Sequence, residues 1–322
     1  ITYIVNPLCC KIQQSVRIKI LSGMVKNTQS GYLTYSTKMI YYSIMNTTDH
    51  NRQNKIAVIN DLSGFGRCSL AVALPIISQM RVQCCPVPTS IFSAHTGFPA
   101  YFFDDYTDRM QPYIDKWKAL DLHFNGILTG FLGSDRQIDI VENFIKDFKD
   151  DNTLVIIDPV IGDNGRPYPT YTASMCEKMR SLVKHADILT PNLTEACILT
   201  STDYRPDMSL KNICDIAIKL TETGAGKVVI TGLDRGSMIA NVICEKGHKP
   251  KIIRQKRCGH ERSGTGDVFA SIIAASAVLG YDFELSVRKA SHFVRDCIAA
   301  TEAMDIPPTD GVCFEEVLHT LK

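Results

Sequence analysis

The sequence lacks the features of a nucleic-acid-binding or membrane protein. Its 35 Lys and Arg residues almost balance 34 Asp and Glu residues, so the net charge is +1 and no basic surface for nucleic acid is expected. No apolar run reaches the length of a membrane span. The longest candidate, residues 268–279, is too short and contains serine. We therefore expect neither a nucleic-acid nor a membrane partner.

The sequence also lacks the cysteine spacing of a metal site. It has 12 cysteines, but no C-x-x-C pattern occurs, and the pairs Cys9-Cys10 and Cys84-Cys85 are adjacent in the chain. The others are scattered through apolar segments. This usage predicts reduced, mostly buried thiols in a cytoplasmic protein.

Residues 1–54 differ from the rest of the chain. They are rich in Ser and Thr, and Asp49 is their only acidic residue, a composition typical of a transit segment. Alternatives are a fragment or mistranslated upstream sequence, with Met39 or Met45 as the true start. We expect this segment to be disordered or to take no part in the fold, and residues 55–322 to form a single domain.

Strand and helix patterns alternate from Lys55 onwards. Apolar strands are predicted near 55–60, 82–87, 126–129, 153–157, 187–189 and 227–231, with helices such as 70–80, 104–120 and 136–148 between them. Residues 237–244 and 251–255 are typical of an antiparallel pair at an edge, and helices are predicted at 268–279, 284–302 and 314–321. The pattern predicts a three-layer α/β/α sandwich with a mostly parallel central sheet.

The segment Gly264-Thr265-Gly266-Asp267 stands directly before an apolar helix. Glycines let backbone N–H groups face a ligand, and a helix N-terminus attracts anions. A carboxylate cannot hold a phosphate, but it can take the proton of a hydroxyl that attacks one. The segment therefore suggests phosphoryl transfer to an alcohol, although a tight turn with Asp267 as a helix-start residue explains it equally well.

Further polar clusters follow the predicted strands, where ligands bind in folds of this class. They include Asp158, the segment 190–196, the segment 61–66 and the segment 93–97. Asn192 and Glu195 are three residues apart, so both can serve a Mg²⁺ that arrives with nucleotide phosphates. The same spacing is a helix-capping signature, which taken alone is the favoured interpretation.

Two motifs are set aside. The loop Gly64-Phe65-Gly66 is similar to a dinucleotide loop, but Ser69 stands where the third glycine belongs. The segment 224–227 is similar to a phosphate-binding loop, but it precedes a strand and lacks the Ser or Thr after Lys227.

Taken in order, these motifs resemble the ribokinase superfamily, over residues 55 to the C-terminus. The segments 93–97 and 128–130 are similar to the pyridoxal kinase branch, and 61–69 is similar to its bacterial type. The resemblance implies ATP-dependent phosphorylation of the 5-hydroxymethyl group of vitamin B6. It also implies a homodimer, Mg²⁺ and an activating monovalent cation, K⁺ or Na⁺.

The resemblance also implies roles for individual residues. Asp267 is the expected base, and the backbone of Gly264, Thr265 and Gly266 the expected anion hole. Expected substrate contacts are Ser63, His95, Thr96, Phe131 and Tyr168. Expected nucleotide contacts are Asp163, Asn192, Glu195, Thr231 and Thr265. Expected metal positions are Asp158, Thr190 and Glu195.

The chain departs from the animal members at three places, so the resemblance does not identify the preferred B6 vitamer. Phe131 stands where animal members carry Tyr, Gly232 where they carry Ser, and the first loop also differs from the animal type. The nearest alternative is a hydroxymethylpyrimidine kinase of the same fold, which typically carries Cys in place of Asp267. A sugar or nucleoside kinase fits the segment around His95 less well. A catalytically silent B6-binding protein is the alternative from another class.

Overall fold

The computed structural model describes residues 50–321, so the expectations for residues 1–49 lie outside the described part. Its strands are β1 (Lys55–Ser63), β2 (Gln83–Phe92), β3 (Phe103–Asp105), β4 (Gly126–Thr129), β5 (Leu154–Ile157), β6 (Gly162–Asp163), β7 (Arg166–Pro167), β8 (Ile188–Leu189), β9 (Lys227–Arg235), β10 (Met238–Glu245) and β11 (Lys251–Lys256). Its α-helices are α1 (Ser69–Gln79), α2 (Thr107–Ala119), α3 (Asp135–Phe148), α4 (Ala173–Leu182), α5 (Leu193–Thr200), α6 (Leu210–Glu222), α7 (Thr265–Val278) and α8 (Phe283–Ala303).

Nine of these strands form one sheet, in the order β11-β10-β9-β8-β5-β4-β1-β2-β3. The six central strands from β9 to β2 are parallel. Only β10, β11 and β3, at the two edges, run antiparallel to their neighbours. The sequence predicted this mostly parallel sheet and the antiparallel pair near one edge, and both predictions are confirmed.

The sheet is covered by helices on both faces. Strand β1 shows why, because its fully buried residues alternate between the two faces. Ala57 and Ile59 pack with α2, α3, α4 and α6 in one hydrophobic cluster. Ile56 and Val58 pack with α1, α7 and α8 in the other. The predicted three-layer sandwich is therefore confirmed.

The predicted C-terminal helix over 314–321 is wrong. The chain there makes two short 3₁₀ turns, Phe314–Glu316 and Leu318–Thr320. Phe314 and Leu321 are nevertheless buried against α1 and α8. Their apolar spacing reflects this packing and not a continuous α-helix. The helix predicted over 104–120 begins later, at Thr107, because Phe103–Asp105 pairs with β2 as an edge strand.

Parallel strands bring their carboxyl ends to one edge of the sheet. The residues at and just after the ends of β1, β4, β5 and β8 therefore meet there, although they lie between positions 60 and 192 of the sequence. The N-terminus of α7 packs at the same edge, since Asp267 is hydrogen-bonded to Asn60. This edge carries the candidate site.

Candidate active site

Asp267 lies in the first turn of α7 and is held by two donors. The amide Nδ2 of Asn60 donates to its Oδ1 at 3.1 Å, and the backbone N–H of Ser69 donates a second hydrogen bond. Burial raises the pKa of Asp267 to about 6, and the negative charge of Asp61 adds to this rise. A carboxylate with such a pKa is ionised near neutral pH and is a stronger base than an exposed one.

The orientation of Asn60 is fixed by the backbone. Its Oδ1 accepts the N–H groups of Asp61 at 3.0 Å and Phe131 at 2.8 Å, so its NH₂ group must face Asp267. Gly130 makes room for this arrangement, because a Cβ there would collide with the Asn60 amide. Asn60 is a functional candidate that the sequence analysis missed.

The start of α7 presents free backbone donors. Its N-cap is Gly264, in the left-handed region at φ 78°, and no side chain caps the helix. A Cβ at Gly264 would collide with the carbonyl oxygen of Arg67, whereas a Cβ at Gly266 would meet nothing within 4 Å. The fold therefore requires Gly264, while Gly266 leaves open space above the helix N-terminus. Thr265 donates its hydroxyl to the carbonyl oxygen of Arg262 at 3.2 Å.

A second carboxylate, Asp61, lies behind Asp267. It accepts the hydroxyls of Ser69 at 2.5 Å and Ser63 at 3.0 Å. Burial raises its pKa, and the two hydroxyl donors oppose the rise. Ser69 adopts a left-handed backbone at φ 52°, which is strained for a residue with a side chain. Ser69 stands where a dinucleotide loop would have its third glycine, and it adopts the left-handed conformation that a glycine usually takes.

Ser63 is only 1% exposed, and its hydroxyl is committed to Asp61. The structure therefore places it behind the open site and not at its surface. A direct substrate contact, as expected from the resemblance, would have to use the remaining lone pairs of this buried oxygen.

Asp158, Thr190 and Glu195 meet at the ends of β5 and β8. The hydroxyl of Thr190 donates to Asp158 Oδ1 at 3.0 Å. Burial raises the pKa of Asp158 to about 7, and the charge of Asp267 adds to this shift. Burial also raises the pKa of Glu195, and its second cause is the charge of Asp158. The carboxylates of Asp158, Glu195 and Asp267 therefore share a poorly solvated region that favours a cation.

Glu195 forms a capping box with Asn192 at the start of α5. Each side chain accepts the backbone N–H of the other residue, at 2.8 and 2.9 Å, and Glu195 also accepts the N–H of Ile161 at 3.1 Å. The capping interpretation, favoured for this spacing taken alone, is confirmed. The expected metal role of Glu195 would have to use lone pairs that these bonds leave free.

The residues expected to contact the nucleotide lie on the same side. Thr231 forms an isolated parallel bridge with Asn192, whose Nδ2 donates to the carbonyl oxygen of Gly162, next to Asp163. Tyr168 is 39% exposed. Burial of its hydroxyl raises its pKa, and the charge of Glu195 is the second cause, with Asp163, Asp158 and Asp267 adding to it. The structure thus brings these residues together.

Three of the residues expected to contact the vitamin lie after strand ends: His95 and Thr96 follow β2, and Phe131 follows β4. Both ring nitrogens of His95 are engaged: Nδ1 accepts the N–H of Gly97 at 3.1 Å, so Nε2 donates to the carbonyl oxygen of Thr309 at 2.7 Å. His95 therefore joins this loop to the C-terminal segment and offers a ligand only its ring faces. Thr96 is exposed, and the ring of Phe131 is edge-on to Phe92 at 6.3 Å.

Arg262, four residues before Gly266 in the loop, is 7% exposed. It donates to Glu302 at 3.0 Å and to the carbonyl oxygen of Ile306 at 2.7 Å. It therefore anchors the loop to α8 and is not available to attract phosphates at the surface.

The donor set fits a magnesium ion that arrives with a nucleotide. Within residues 50–321, no group of three or more His, Cys, Asp or Glu side chains is arranged to hold a metal ion alone. Mg²⁺ usually keeps several waters and is bound through one or two carboxylates plus substrate phosphates. The half-buried carboxylate of Asp158 and the buried carboxylate of Glu195 match this mode.

A wider depression of about 590 Å³ lies between the segment 202–208 and α6. Its lining contains none of the residues predicted for the site.

In the described part of the chain, every helix is too short or too polar to cross a bilayer.

The sequence is similar to those of known kinases. A family model described as "Phosphomethylpyrimidine kinase" matches residues 76–310, more than half of the chain. A pyridoxine/pyridoxal/pyridoxamine kinase of Bordetella avium is 26% identical over 256 residues, covering 75% of this chain and 83% of that protein.

Two solved structures are also similar. A candidate phosphomethylpyrimidine kinase of Bacteroides thetaiotaomicron, solved with pyridoxal, has a TM-score of 0.80 and 37% identity, covering 84% of this chain and 96% of that one. The pyridoxal kinase of Lactobacillus plantarum has a TM-score of 0.77 and 27% identity, covering 83% of this chain and 96% of that one.

Proposed function

The chain belongs to the phosphomethylpyrimidine kinase family, and on this premise we propose that it phosphorylates vitamin B6 with ATP. The acceptor is the 5-hydroxymethyl group of pyridoxal, pyridoxine or pyridoxamine, and the product is the 5'-phosphate. One observation carries the proposal: a half-buried carboxylate, Asp267, lies one residue from Gly266 at an uncapped helix N-terminus. The relatives in Bordetella avium and Lactobacillus plantarum carry the names of B6 kinases.

Asp267 acts as the general base. It takes the proton of the 5-hydroxyl group as the alcohol oxygen forms a bond to the γ-phosphorus, and the bond from that phosphorus to the bridging oxygen of ADP breaks. Asn60 and Ser69 hold the carboxylate in place during this transfer.

The N–H groups of Gly264, Thr265 and Gly266 form the anion hole. They face the transferring phosphoryl group with the positive end of the α7 dipole behind them. Removing one donor of such a site typically costs about 3–4 kcal/mol of transition-state stabilisation. The open space at Gly266 supports this role.

The nucleotide lies across the ends of β5, β8 and β9. We assign its binding to Asp163, Asn192, Glu195, Thr231 and Thr265. Asp158, Thr190 and Glu195 would hold Mg²⁺ through its water shell, and the ion would neutralise phosphate charge. An activating K⁺ or Na⁺ in this region remains a prediction.

The vitamin lies on the side of β1 and β2. We assign its ring contacts to Thr96 and Phe131, with Tyr168 over the phosphates and with Ser63 and His95 acting mainly through the loops that they hold. We also propose that the protein is cytoplasmic and forms a homodimer. Light scattering of the purified chain tests the oligomeric state.

A substrate survey tests the proposed function. The purified protein is incubated with MgATP and, separately, each B6 vitamer, hydroxymethylpyrimidine, a sugar and a nucleoside. We expect a phosphorylated product from at least one B6 vitamer and much less from hydroxymethylpyrimidine. A preference for hydroxymethylpyrimidine supports the alternative kinase. Vitamer binding without any product supports a silent binding protein.

A further inference from the structure

A small cavity is lined in part by Asp267. It lies where the ends of β1, β4 and β5 meet α1 and the first turns of α7, and its volume is about 10 Å³. A cavity of this size holds about one water molecule, provided that its wall offers polar partners. Asn60, Thr129, Asp158, Asp267 and Ser271 supply its polar wall.

Two hydroxyl groups in this wall lack partners. Thr129 and Ser271 are each 1% exposed, and neither hydroxyl has a hydrogen-bond partner among residues 50–321. A buried hydroxyl that is left unpaired loses the hydrogen bonds that it made to water without gaining any in return. Two such groups in the wall of one cavity point to a ligand that satisfies both.

The positions of these residues follow from the fold. Ser271 is four residues after Asp267 on α7, so both lie on one face of the helix. Thr129 ends β4, and its carbonyl oxygen accepts the N–H of Asp158 at 3.0 Å. The two hydroxyls and the two carboxylates therefore converge from neighbouring elements.

A water molecule matches this wall in number and type of partner. Water has two donors and two lone pairs. The wall offers two carboxylates that accept, Asp158 and Asp267, and two hydroxyls that can donate, Thr129 and Ser271. A water between the carboxylates also reduces the repulsion of two like charges in a poorly solvated region.

We propose that this cavity binds one structural water molecule, which accepts hydrogen bonds from Thr129 and Ser271 and donates to Asp158 and Asp267. The water is a positioning group for the base, because it ties the first turn of α7 to the ends of β4 and β5. Its kinetic consequence rests on the proposed role of Asp267, but its presence does not.

The direct test is crystallographic. High-resolution structures are determined for the wild type and for the double variant Thr129→Val, Ser271→Ala. We expect one density peak about 2.7–3.0 Å from both hydroxyls in the wild type and its loss in the double variant. The proposal is overturned by absence of the peak, by its persistence in the double variant, or by an anomalous signal at the peak after Rb⁺ soaking.

A kinetic test uses a matched control on the same helix. Ser276 is also fully buried in α7 with an unpaired hydroxyl, but it does not line the cavity. Ser271→Ala should lower kcat about 3- to 10-fold with KM for ATP nearly unchanged, and Ser276→Ala should leave both unchanged. Equal effects of the two variants, or an unchanged kcat in Ser271→Ala, would overturn the positioning role. If the wild type phosphorylates no B6 vitamer, the proposed function fails while the crystallographic result still decides the water site.

Discussion

Asp267 combines two properties at the residue scale: its carboxylate is half-buried, and it is held by two fixed donors, Asn60 and Ser69. Replacing it by Asn keeps the shape of the side chain but removes the base. We expect Asp267→Asn to lower kcat about 10²- to 10⁴-fold. Binding of ATP and the vitamin, measured by calorimetry, should remain close to that of the wild type. Near-normal turnover would rule out the assigned role.

The raised pKa of Asp267 has a consequence for stability. Its folded pKa of about 6 lies above the ordinary value of 3.8, so the folded state binds more protons than the unfolded state between these values. Ionised Asp267 therefore destabilises the fold as pH rises through this window, and the penalty is complete above pH 6. We expect Asp267→Asn to increase the free energy of unfolding by about 1–3 kcal/mol at pH 8.

Urea unfolding at several pH values checks this effect. The advantage of Asp267→Asn over the wild type should shrink as pH falls and vanish near pH 4. An advantage that is the same at pH 4 and pH 8 would show that titration of this carboxyl is not its cause.

Some residues of the site could be predicted from the sequence and others could not. The sequence indicated Asp267, Gly264 and Glu195 because each stands in a recognisable local pattern. It did not indicate Asn60, whose importance comes from a contact with a residue 207 positions away. Ser69 was noticed only as a missing glycine, since a left-handed backbone at a serine leaves no signal in the sequence.

At the scale of elements, the start of α7 contains two glycines, Gly264 and Gly266, that look alike in the sequence but have different surroundings in the structure. Gly264→Ala would place a Cβ against the carbonyl oxygen of Arg67 at a left-handed backbone, so we expect a loss of more than about 1 kcal/mol in the free energy of unfolding. Gly266→Ala meets no neighbour within 4 Å, so we expect unchanged or slightly increased stability.

In Gly266→Ala, activity should fall although stability does not. A methyl group at Gly266 intrudes on the space proposed for the phosphoryl group, so Gly266→Ala should lower kcat/KM at least about 10-fold while its Tm stays the same. Thermal unfolding and kinetics on both variants decide this. Full activity in a stable Gly266→Ala would contradict the proposed anion hole.

The elements predicted best are those whose pattern is local. Strands β1, β4 and β9 begin where their apolar runs begin, at Lys55, Gly126 and Lys227. The segment 314–321 was predicted wrongly because two buried apolar residues, Phe314 and Leu321, imitate a helical period. Short strands β6 and β7 were missed, since two-residue pairings carry no periodicity.

At the scale of the whole molecule, the parallel sheet explains how distant segments build one site. Strands β1, β4, β5 and β8 each end at the same edge, and α7 returns to it from the far end of the chain. The capping box of α5 and the anchoring of the α7 loop by Arg262 then fix the two sides of this edge. The site therefore depends on the complete sheet and on helices from both layers.

The same reasoning predicts which part of the chain is needed. The nine-stranded sheet begins at Lys55, and every residue assigned to the site follows it. We expect the chain lacking residues 1–44 to keep the Tm and the kcat of the full chain. As a matched control, removal of residues 1–60 deletes most of β1, including Asn60, and should prevent folding because β1 is a central strand between β2 and β4. If the shorter truncation also fails to fold, residues 1–44 contribute to the domain, and the boundary at residue 55 is wrong.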